Sequence, residues 1–500
     1  MAKKTIRTIP QERANMPVQE PSVRATNFDE VALGFEESDA LVESERCLVC
    51  PKPNCVPACP VNIDIPGFIV QISKKNYRGA YDILTESTLL PAICGRVCPQ
   101  EDQCEGVCPV GAKLEPVAIG RLERWIGDMA IENSWRNVPP IAANGFKIGI
   151  VGSGPAGMAC AADMAKAGCD VTIYEALHQA GGVLRYGIPE FRLPNDVLDA
   201  ELENLKALGV RIECNILVGR LFTIEQMLDE LGFDAVFIGT GAGYPSFMGI
   251  DGESLNGVLS ANELLTRCNL MGATEFPRYD TPLGLGKRVA VIGSGNTAMD
   301  ALRVSLRADA EEVYCLYRRT RAESPARIEE VEHAEEEGVR FEWLTAPVEI
   351  LDDGNGNVRA LRCQRMELGE PDDSGRRRPV PIEGSEYEFE VDTVVYAIGT
   401  NANPIIGQTS KIALNKWGYI EADDKLATSM AGVYAGGDIV TGAATVILAM
   451  GTGRQAANSM KAYLGIRDSS SVYKEAREDG EANIFGIDPS ERAHVRVRVA

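Results

Sequence analysis

Eight cysteines lie close together in this chain, in two runs that both end in the pattern Cys-x3-Cys-Pro. The first run contains Cys47, Cys50, Cys55 and Cys59, and the second contains Cys94, Cys98, Cys104 and Cys108. Thiolates are soft ligands that suit iron–sulfur clusters, and a cysteine run that closes in Cys-Pro is an established pattern for pairs of such clusters. The spacing therefore predicts bound iron–sulfur clusters and one-electron chemistry.

Two other uses of these cysteines compete with the cluster interpretation. Structural zinc is the stronger rival, but only Cys47 and Cys50 have the Cys-x2-Cys spacing of a zinc knuckle. A disulfide framework suits small secreted domains, and the N-terminal stretch MAKKTIRTIPQERANM lacks the apolar region of an export signal. The remaining cysteines are scattered, and we expect them to be buried small apolar residues: Cys160, Cys169, Cys214, Cys268, Cys315 and Cys363.

A first glycine-rich turn predicts an FAD site. Its residues, which follow a strand-like segment and precede a helix-like one, are Gly152, Ser153, Gly154, Pro155, Ala156 and Gly157. Such glycines let backbone amides approach a pyrophosphate at a helix N-terminus. Glu175 ends the next predicted strand, where a carboxylate can accept hydrogen bonds from a ribose. The alternative is a glycine turn without a ligand.

A second turn of the same kind predicts a site for NADP(H). It contains Gly293, Gly295, Asn296 and Thr297, with Ala298 in the third glycine position. Where the first unit has an acid, this one has Arg318 and Arg319, which can pair with the 2′-phosphate of NADP. The alternatives are NAD as the nucleotide and arginines that are only solvated surface charge.

Two further segments add to the flavin site. One is the glycine-rich stretch that contains Thr240 and Gly241. In the other, Gly437 and Asp438 follow a short predicted strand, and a helix is predicted to begin near Ala444, Thr445 and Val446. An aspartate there can hold a ribityl hydroxyl, and the helix N-terminus can face the flavin. The alternative is an ordinary turn between a strand and a helix.

Composition limits the classes of partner. The chain has 500 residues and a net charge of −22, which repels nucleic acid and anionic membrane surfaces. No apolar run approaches the roughly 20 residues that span a bilayer. Three histidines leave no room for a histidine-rich metal site. Reduced, metal-binding cysteines indicate a cytoplasmic protein.

The elements that must position these residues change in type along the chain. A helix with apolar residues at helical spacing is predicted after the second cysteine run, in VAIGRLERWIGDMAIE. The stretch NVPPIAANG then reads as a linker. Beyond it, strand, glycine turn, helix and strand occur in FKIGIVGSGPAGMACAADMAKAGCDVTIYEA and again in KRVAVIGSGNTAMDALRVSLRADAEEVYCLYRR. The sequence thus predicts two dinucleotide-binding units.

These motifs together resemble a known family. The specific stretches are CLVCPKPNCVPACPVNIDIPGFI, LPAICGRVCPQEDQCEGVCP, GGVLRYGIPEFRLP, GSGNTAMDA, YRRTRAESPA and GVYAGGDIVTGAATVILAMGTGR. From about residue 27 to 465 the chain is similar to the small (β) subunit of NADPH-dependent glutamate synthase. Its relatives include the large subunit of the NADH-dependent ferredoxin:NADP oxidoreductase and the N-terminal part of dihydropyrimidine dehydrogenase.

The resemblance implies a fold and its division into domains. It implies an α/β flavoprotein with two dinucleotide-binding, Rossmann-type domains, similar to adrenodoxin reductase and the disulfide reductases, and an N-terminal all-α iron–sulfur domain. The expected parts are a helical domain with two [4Fe-4S] clusters (1–140), the first part of an FAD domain (146–286), an inserted NADP(H) domain (287–391), the second part of the FAD domain (392–465) and a C-terminal tail (466–500).

The resemblance also implies site residues. Cys47, Cys50, Cys55 and Cys108 would hold one cluster, and Cys59, Cys98, Cys104 and Glu123 the other. Cys94 would then be a spare thiol, although spacing alone would have chosen it as a ligand. Against the flavin the resemblance places Gly182, Leu184, Arg185, Gly187 and Ile188, with Arg192 nearby. The choice between Cys94 and Glu123 stays open at this stage.

The predicted function is electron transfer between NADP(H), FAD and the two [4Fe-4S] clusters, to or from a partner in a hetero-oligomer. The partner would be a glutamate synthase large subunit, a small flavoprotein subunit or ferredoxin, with either direction of electron flow. No catalytic residue is assigned, because hydride transfer needs proximity of the cofactors more than an acid or base. The alternatives are a thioredoxin-reductase-like flavoenzyme with a structural zinc domain and a non-catalytic assembly subunit.

Overall fold

The computed structural model describes residues 6–7, 9–139, 141–371, 375–466 and 496–497. Within these ranges we find no helix whose length and apolar character would let it cross a membrane. The predicted C-terminal tail lies outside the described residues, apart from its first residue and the pair 496–497.

The cysteine-rich region is helical. Its elements are strand β1 (Ile6–Arg7) and helices α1 (Pro21–Arg24), α2 (Glu37–Ser44), α3 (Ile65–Ser73), α4 (Tyr77–Ser87), α5 (Pro91–Val97) and α6 (Ile119–Glu132), with 3-10 turns at Gln100–Asp102 and Pro109–Ala112. Asp64 caps the N-terminus of helix α3, because its side chain accepts a hydrogen bond from the Gly67 amide at 3.1 Å.

Helices α5 and α6 cross at unusually short range because glycines stand at the crossing. A Cβ atom on Gly95 would lie 2.4 Å from the backbone nitrogen of Arg124, and one on Gly127 would lie 2.5 Å from that of Ala92. Any larger residue would force the helices apart. The close crossing brings Glu123 on α6 next to the segment that carries Cys98.

The next part of the chain alternates strands and helices. Its elements are β2 (Lys147–Val151), α7 (Pro155–Lys166), β3 (Asp170–Tyr174), α8 (Val183–Tyr186), α9 (Asn195–Ala207), β4 (Arg211–Glu213), α10 (Ile224–Asp229), β5 (Ala235–Ile238), β6 (Tyr244–Pro245), β7 (Val258–Ser260) and α11 (Ala261–Asn269), followed by a 3-10 turn at Ala273–Glu275. Strands β2 and β5 are buried along nearly their whole length, as expected of strands covered by helices on both faces.

The second dinucleotide unit and the C-terminal elements follow. They are β8 (Arg288–Ile292), α12 (Asn296–Arg307), β9 (Glu312–Tyr317), a 3-10 turn at Arg321–Glu323, α13 (Ile328–Glu336), β10 (Arg340–Trp343), β11 (Thr345–Asp352), β12 (Val358–Pro371), β13 (Arg377–Pro381), β14 (Tyr387–Glu390), β15 (Thr393–Tyr396), β16 (Thr400–Asn401), α14 (Ile405–Thr409), β17 (Val433–Ala435), α15 (Asp438–Thr441), α16 (Val446–Tyr463) and β18 (Arg496–Val497).

Two parallel five-stranded sheets form the framework of the α/β part. The first has the strand order β17-β5-β2-β3-β4 and the second has the order β10-β9-β8-β15-β7. An antiparallel group (β11, β12, β13 and β14) and two short pairs, β6 with β16 and β1 with β18, complete the strands. This framework confirms the predicted fold class of two Rossmann-type units beside a helical region.

The strands of the second sheet lie, along the chain, between strands β5 and β17 of the first. Strand β7 pairs with β15, and β15 pairs with β8, so all three belong to the second sheet. The predicted boundaries at residues 286 and 392 had placed β7 and β15 with the flavin part. The sheet to which β7 and β15 belong was not predictable, because these short strands carry no sequence motif of their own. The domain limits stay a prediction.

The helical region and the first sheet share one hydrophobic core. Its buried members include Ile93 and Leu122 from the helices and Met158 and Met450 from the α/β part. Helices α7 and α16 approach closely, since a Cβ atom on Gly453 would lie 2.2 Å from the carbonyl oxygen of Ala156. The cysteine-rich helices are therefore packed onto the flavin-side sheet.

A buried ion network joins the N-terminal segment to the second sheet. The carboxylate of Glu337 forms ion pairs with the guanidinium groups of three arginines. The N–O distances are 3.0 Å to Arg24, 2.7 Å to Arg303 and 2.7 Å to Arg307, and all four side chains are fully buried. Burial alone would raise the pKa of Glu337, but the hydrogen bonds and charges of Arg303 and Arg307 lower it to about 2. One carboxylate thus holds three elements together.

Candidate functional site

Four of the cysteines predicted to share a cluster meet near the surface. Cys47, Cys50, Cys55 and Cys108 line one small cavity whose other walls are mostly apolar, among them Ile65 and Val117. Burial raises the pKa of Cys55 to about 12, and the charges of Cys47, Cys108 and Cys50 add to the rise. All four residues are half-buried. We call them the first cysteine group.

The other cysteines meet deeper, around Glu123. Burial raises the pKa of Cys59 to about 11, and the charges of Glu123 and Cys94 add to this rise. Burial likewise raises the pKa of Cys104, with contributions from Glu105, Glu123 and Cys59. A hydrogen bond with Cys94, together with burial, raises the pKa of Cys98. We call Cys59, Cys98, Cys104 and Glu123 the second group.

Glu123 fits the role of a ligand. Among the described residues its Oε1 atom is buried and has no hydrogen-bond partner. Burial raises the pKa of this carboxyl to about 8, with a further contribution from Glu201. A buried acid without a partner is costly unless something else satisfies it, and a metal cluster would do so. Three thiols and a carboxyl form a donor set that suits an iron–sulfur cluster.

The side chains of neither group surround a position for one metal ion. In the part of the chain that the structure describes, no three or more His, Cys, Asp or Glu side chains are placed to hold one metal ion. Cys94 contacts Thr88 Oγ1 at 3.8 Å and Met450 Sδ at 3.7 Å. The two runs of cysteines are interleaved, because Cys59 joins the second group and Cys108 joins the first.

A cavity of about 390 Å³ lies at the carboxyl ends of the first sheet's strands. Most of the residues predicted for FAD line it: Gly152, Gly154, Pro155, Ala156, Glu175, Gly182, Gly187, Ile188, Arg192, Thr240, Gly241, Gly437, Asp438, Ala444, Thr445 and Val446. This position agrees with the general rule for ligands of open α/β sheets. We call it the flavin cavity.

The first glycine turn has the backbone shape that the motif requires. Gly152 has a φ of +100°, and a Cβ atom there would lie 2.6 Å from the carbonyl oxygen of Gly239. No described atom lies within 4 Å of a Cβ placed on Gly154, so that side of the turn is open. Glu175 fixes the turn, because its Oε2 accepts hydrogen bonds from the Ser153 amide at 3.0 Å and hydroxyl at 2.5 Å.

Two polar groups in the flavin cavity fit a bound cofactor. Among the described residues, Thr240 Oγ1 is buried and has no hydrogen-bond partner. Burial raises the pKa of Asp438 to about 6, although the Ala444 amide donates to its Oδ1 at 3.3 Å. Both groups could bind hydroxyls or amides of a ligand such as FAD.

Three residues predicted for FAD do not line the cavity. Gly157 is required for packing, because a Cβ atom there would lie 2.0 Å from the Gly152 carbonyl oxygen. Leu184 is buried in the core. Arg185 pairs with Asp199 and donates to Asn195 Oδ1 at 2.9 Å. The position of Arg185 in the stretch GGVLRYGIP gave no indication that its guanidinium pairs with Asp199.

The second glycine turn repeats the geometry of the first. Gly293 has a φ of +124°, and its Cβ atom would lie 2.3 Å from the Ala397 carbonyl oxygen. Gly295 precedes the first turn of α12. Asn296 and Thr297, at the start of that helix, reach the wall of the flavin cavity. The second glycine turn, which we call the nucleotide turn, and the first glycine turn therefore border the same cavity.

The two arginines predicted to bind the 2′-phosphate have different surroundings. Arg318 is exposed at the end of β9. Arg319 is buried, and its Nε donates to the carbonyl oxygen of Arg377 at 2.7 Å. Adjacent residues at a strand end point to opposite faces, so only one of the pair faces the solvent beside the turn.

Sequence reasoning missed two residues that connect the cysteines to the flavin cavity. Val97 and Pro99, on either side of Cys98, both line that cavity. Helix α16 forms a common wall, because Ala449 lines the cavity while Met450 contacts Cys94. Their only sequence signal was adjacency to a predicted ligand, since the contact depends on tertiary packing.

A third missed residue, Arg327, links the second glycine turn to the cysteine-rich region. Its backbone amide donates to Asn296 Oδ1 at 3.0 Å. Its guanidinium donates to Glu101 Oε1 at 2.9 Å and to Gln100 Oε1 at 3.1 Å. Gln100 and Glu101 lie between Cys98 and Cys104, so this one arginine contacts both the second glycine turn and the cysteine-rich region.

Two family models match the chain. Residues 24–135 match the model described as dihydropyrimidine dehydrogenase domain II, 4Fe-4S cluster. Residues 146–460, more than half of the chain, match the model described as pyridine nucleotide-disulphide oxidoreductase. The boundary between the matches falls close to the linker before β2.

Curated relatives cover most of the chain. The glutamate synthase [NADPH] small chain of Escherichia coli is 34% identical over 474 residues, covering 93% of this chain and 100% of that protein. The putative oxidoreductase UacF of the same species is 39% identical over 88% of this chain and 70% of that protein. The NADP(+)-dependent formate dehydrogenase subunit beta of Moorella thermoacetica is 40% identical over 87% of this chain and 63% of that protein.

A solved structure shares the fold. Mycobacterium tuberculosis FprA in complex with NADPH has a TM-score of 0.54 and 20% identity, over 70% of this chain and 88% of that one. At this identity the likeness concerns the fold alone.

Proposed function

This chain belongs to the family of the glutamate synthase small chains, and from that membership we propose the route that electrons take through it. The predicted family and function are confirmed: the protein is an NADPH-dependent oxidoreductase that uses FAD and 4Fe-4S clusters. Relatives named as subunits support a partner subunit. Which residues hold each group, and in what order, is our proposal.

The proposed order is nucleotide turn, flavin cavity, second group, first group and partner. Its main support is that Val97 and Pro99 line the flavin cavity on both sides of Cys98. The second group is therefore the one beside the flavin. The first group is half-exposed, whereas Cys59 and Cys98 are buried, so the first group is the one that a partner can approach.

We propose that each group holds one cluster. Cys47, Cys50, Cys55 and Cys108 would bind the outer cluster, and Cys59, Cys98, Cys104 and Glu123 the inner one. When bound, NADP(H) and FAD supply two-electron chemistry, and the clusters supply one-electron chemistry. The chain's own residues supply position: Asn296 and Thr297 bring the nucleotide turn to the wall of the flavin cavity.

No general acid or base is needed for this role. Apolar side chains such as Ile188 and Val446 line the flavin cavity and would help to exclude water once FAD is bound. Thr240 and Asp438 would orient the flavin by hydrogen bonds, and the open side of Gly154 would admit a pyrophosphate to the N-terminus of α7. The candidate partners are a glutamate synthase large subunit, a small flavoprotein subunit and ferredoxin.

The order is tested by removing one cluster at a time. Cys98→Ala should lose the inner cluster, so that NADPH still bleaches the flavin but no longer reduces the outer cluster quickly. Cys50→Ala should lose the outer cluster, while NADPH still reduces the inner one at the wild-type rate. Anaerobic stopped-flow absorbance with freeze-quench EPR separates the two cases, after iron analysis has shown that one cluster remains in each variant.

Fast reduction of the outer cluster in Cys98→Ala would contradict the proposed order. So would loss of inner-cluster reduction in Cys50→Ala. A purified protein that contains zinc and no acid-labile sulfide would overturn the assignment of both groups.

A further inference from the structure

The surface over the first cysteine group has an unusual composition for this protein. It consists of two loops, residues 50–57 and 106–113, which we call the cysteine-loop surface. Its exposed residues are Pro51, Lys52, Asn54, Pro57, Gly106, Val107, Pro109, Gly111, Ala112 and Lys113. They are apolar, small or basic, and none is acidic.

Charge separates this surface from the rest of the molecule. The chain carries a net charge of −22, yet Lys52 and Lys113 are the only charged residues in segments 47–60 and 106–114. Glu105, next to the second loop, is buried and held by Arg13 at 2.7 Å. The nearest exposed acids along the chain are Glu45, Asp64, Asp102 and Glu115, all outside the two loops. The two loops therefore carry two positive charges and no negative one, on a protein that is acidic as a whole.

The surface also has the features of a contact face. Val107, beside Cys108, is 42% exposed. Three exposed prolines restrict the backbone, so docking would order little additional chain. Because the first group lies directly beneath and is half-buried, a protein seated here would approach the outer cluster without any rearrangement.

We propose that the cysteine-loop surface docks an electron-transfer protein whose contact face is acidic, with Lys52 and Lys113 steering its approach. This inference rests on the proposed function, which makes the first group the outer cluster. Opposite charges on two protein faces accelerate encounter and fix the docked orientation, and salt weakens both effects. The net charge of −22 would disfavour the approach of such a partner to the acidic parts of the surface.

The test uses the holoenzyme and a small acidic ferredoxin as the probe. Binding of the oxidised ferredoxin is measured by calorimetric titration at low and high ionic strength. The double variant Lys52→Glu/Lys113→Glu should bind about 10-fold more weakly or worse at low salt, with a smaller salt dependence than the wild type. The matched control is Lys411→Glu/Lys425→Glu, which changes the net charge equally at two exposed lysines between α14 and β17.

Binding of the oxidised ferredoxin requires no electron flow, so its failure is distinguishable from failure of the proposed electron route. Iron content and NADPH-dependent ferricyanide reduction should match the wild type in both double variants. If the charge reversal prevents folding, Lys52→Gln/Lys113→Gln replaces it, with a smaller loss expected.

Three results would overturn the proposal. They are wild-type binding that salt does not weaken, an equal loss of affinity in the Lys411/Lys425 control, and a dimer of this chain that the Lys52→Glu change dissociates. The last result would show that a second copy, rather than an acidic carrier, covers the surface.

Discussion

The Sγ atom of Cys94 lies 3.7 Å from the Sδ atom of Met450. Cys94 belongs to α5 in the cysteine-rich region, and Met450 belongs to α16, which also lines the flavin cavity. Cys94 therefore packs against α16, the helix on the flavin side. It also forms a hydrogen bond with Cys98, a proposed cluster ligand. This contact gives it a structural role that does not require a bond to iron.

Iron analysis distinguishes Cys94 from Glu123. We expect Cys94→Ala to keep about eight iron atoms per chain, four for each cluster. Glu123→Ala should lose about four, because no other carboxylate of the second group can replace it. The ligand assignment would be reversed if Cys94→Ala lost a cluster while Glu123→Ala kept both. Acid-labile sulfide should change in parallel with iron in either variant.

Nucleotide preference should depend on Arg318 and not on Arg319. Charge-assisted hydrogen bonds to a phosphate contribute about 1.5–3 kcal/mol, so Arg318→Ala should raise KM for NADPH about 10-fold to 100-fold. KM for NADH should stay unchanged, because NADH lacks the 2′-phosphate. Arg319→Ala is the matched control, since its Nε binds the Arg377 carbonyl oxygen. An equal change of preference in both variants would contradict this division.

Those two arginines also show what the sequence could and could not predict. The glycine turns were predictable because φ above zero and close backbone approach are local requirements, as Gly152 and Gly293 show. The direction of Arg319 depends on β13, which lies far along the chain and has no motif. The same holds for Val97 and Pro99, whose place in the flavin cavity comes from the packing of α5 on α16.

The glutamate ligand is an intermediate case. The resemblance suggested Glu123, whereas cysteine spacing suggested Cys94, and neither could show burial. The structure adds that Glu123 is buried beside three thiols with an unpartnered oxygen, among the residues it describes. The crossing that brings it there needs Gly95 and Gly127, which no cysteine pattern marks.

FAD affinity should depend on pH through Asp438. Burial raises the pKa of this carboxyl to about 6. An ionised carboxylate is the stronger acceptor for a ribityl hydroxyl, so bound FAD would favour the deprotonated form. Affinity of the flavin-free protein for FAD should therefore fall as the pH drops below about 6 and level off above it. Asp438→Asn should bind more weakly and show no change across this range, as measured by flavin fluorescence quenching.

The stability of the protein should depend on Glu337. Glu337→Gln would leave Arg24, Arg303 and Arg307 buried without their shared carboxylate. Breaking a buried ion pair in this way costs about 3–5 kcal/mol. We expect a lower midpoint of thermal unfolding by circular dichroism, with Glu336→Gln as the control because its side chain is half-exposed. Equal midpoints for the two variants would contradict this role.

The pH range of this effect follows from the sign of the shift. The pKa of Glu337 is about 2 when folded, below its ordinary value of about 4.3 in the unfolded chain. Its contribution is therefore complete above about pH 4.3 and is lost as the pH falls towards 2. The difference in the free energy of unfolding between the wild type and Glu337→Gln should be constant from neutral pH down to about pH 4.3.

Helix α16 has a consequence for the evolution and engineering of such chains. It borders the flavin cavity at Ala449, touches Cys94 through Met450 and passes Pro60 so closely that a Cβ atom on Gly451 would lie 3.0 Å from its carbonyl oxygen. The cysteine-rich region is thus packed tightly against α16 and cannot be exchanged independently of it. A chimaera that exchanges this region must also exchange the residues of α16 that contact it, because otherwise the two contact surfaces will not be complementary.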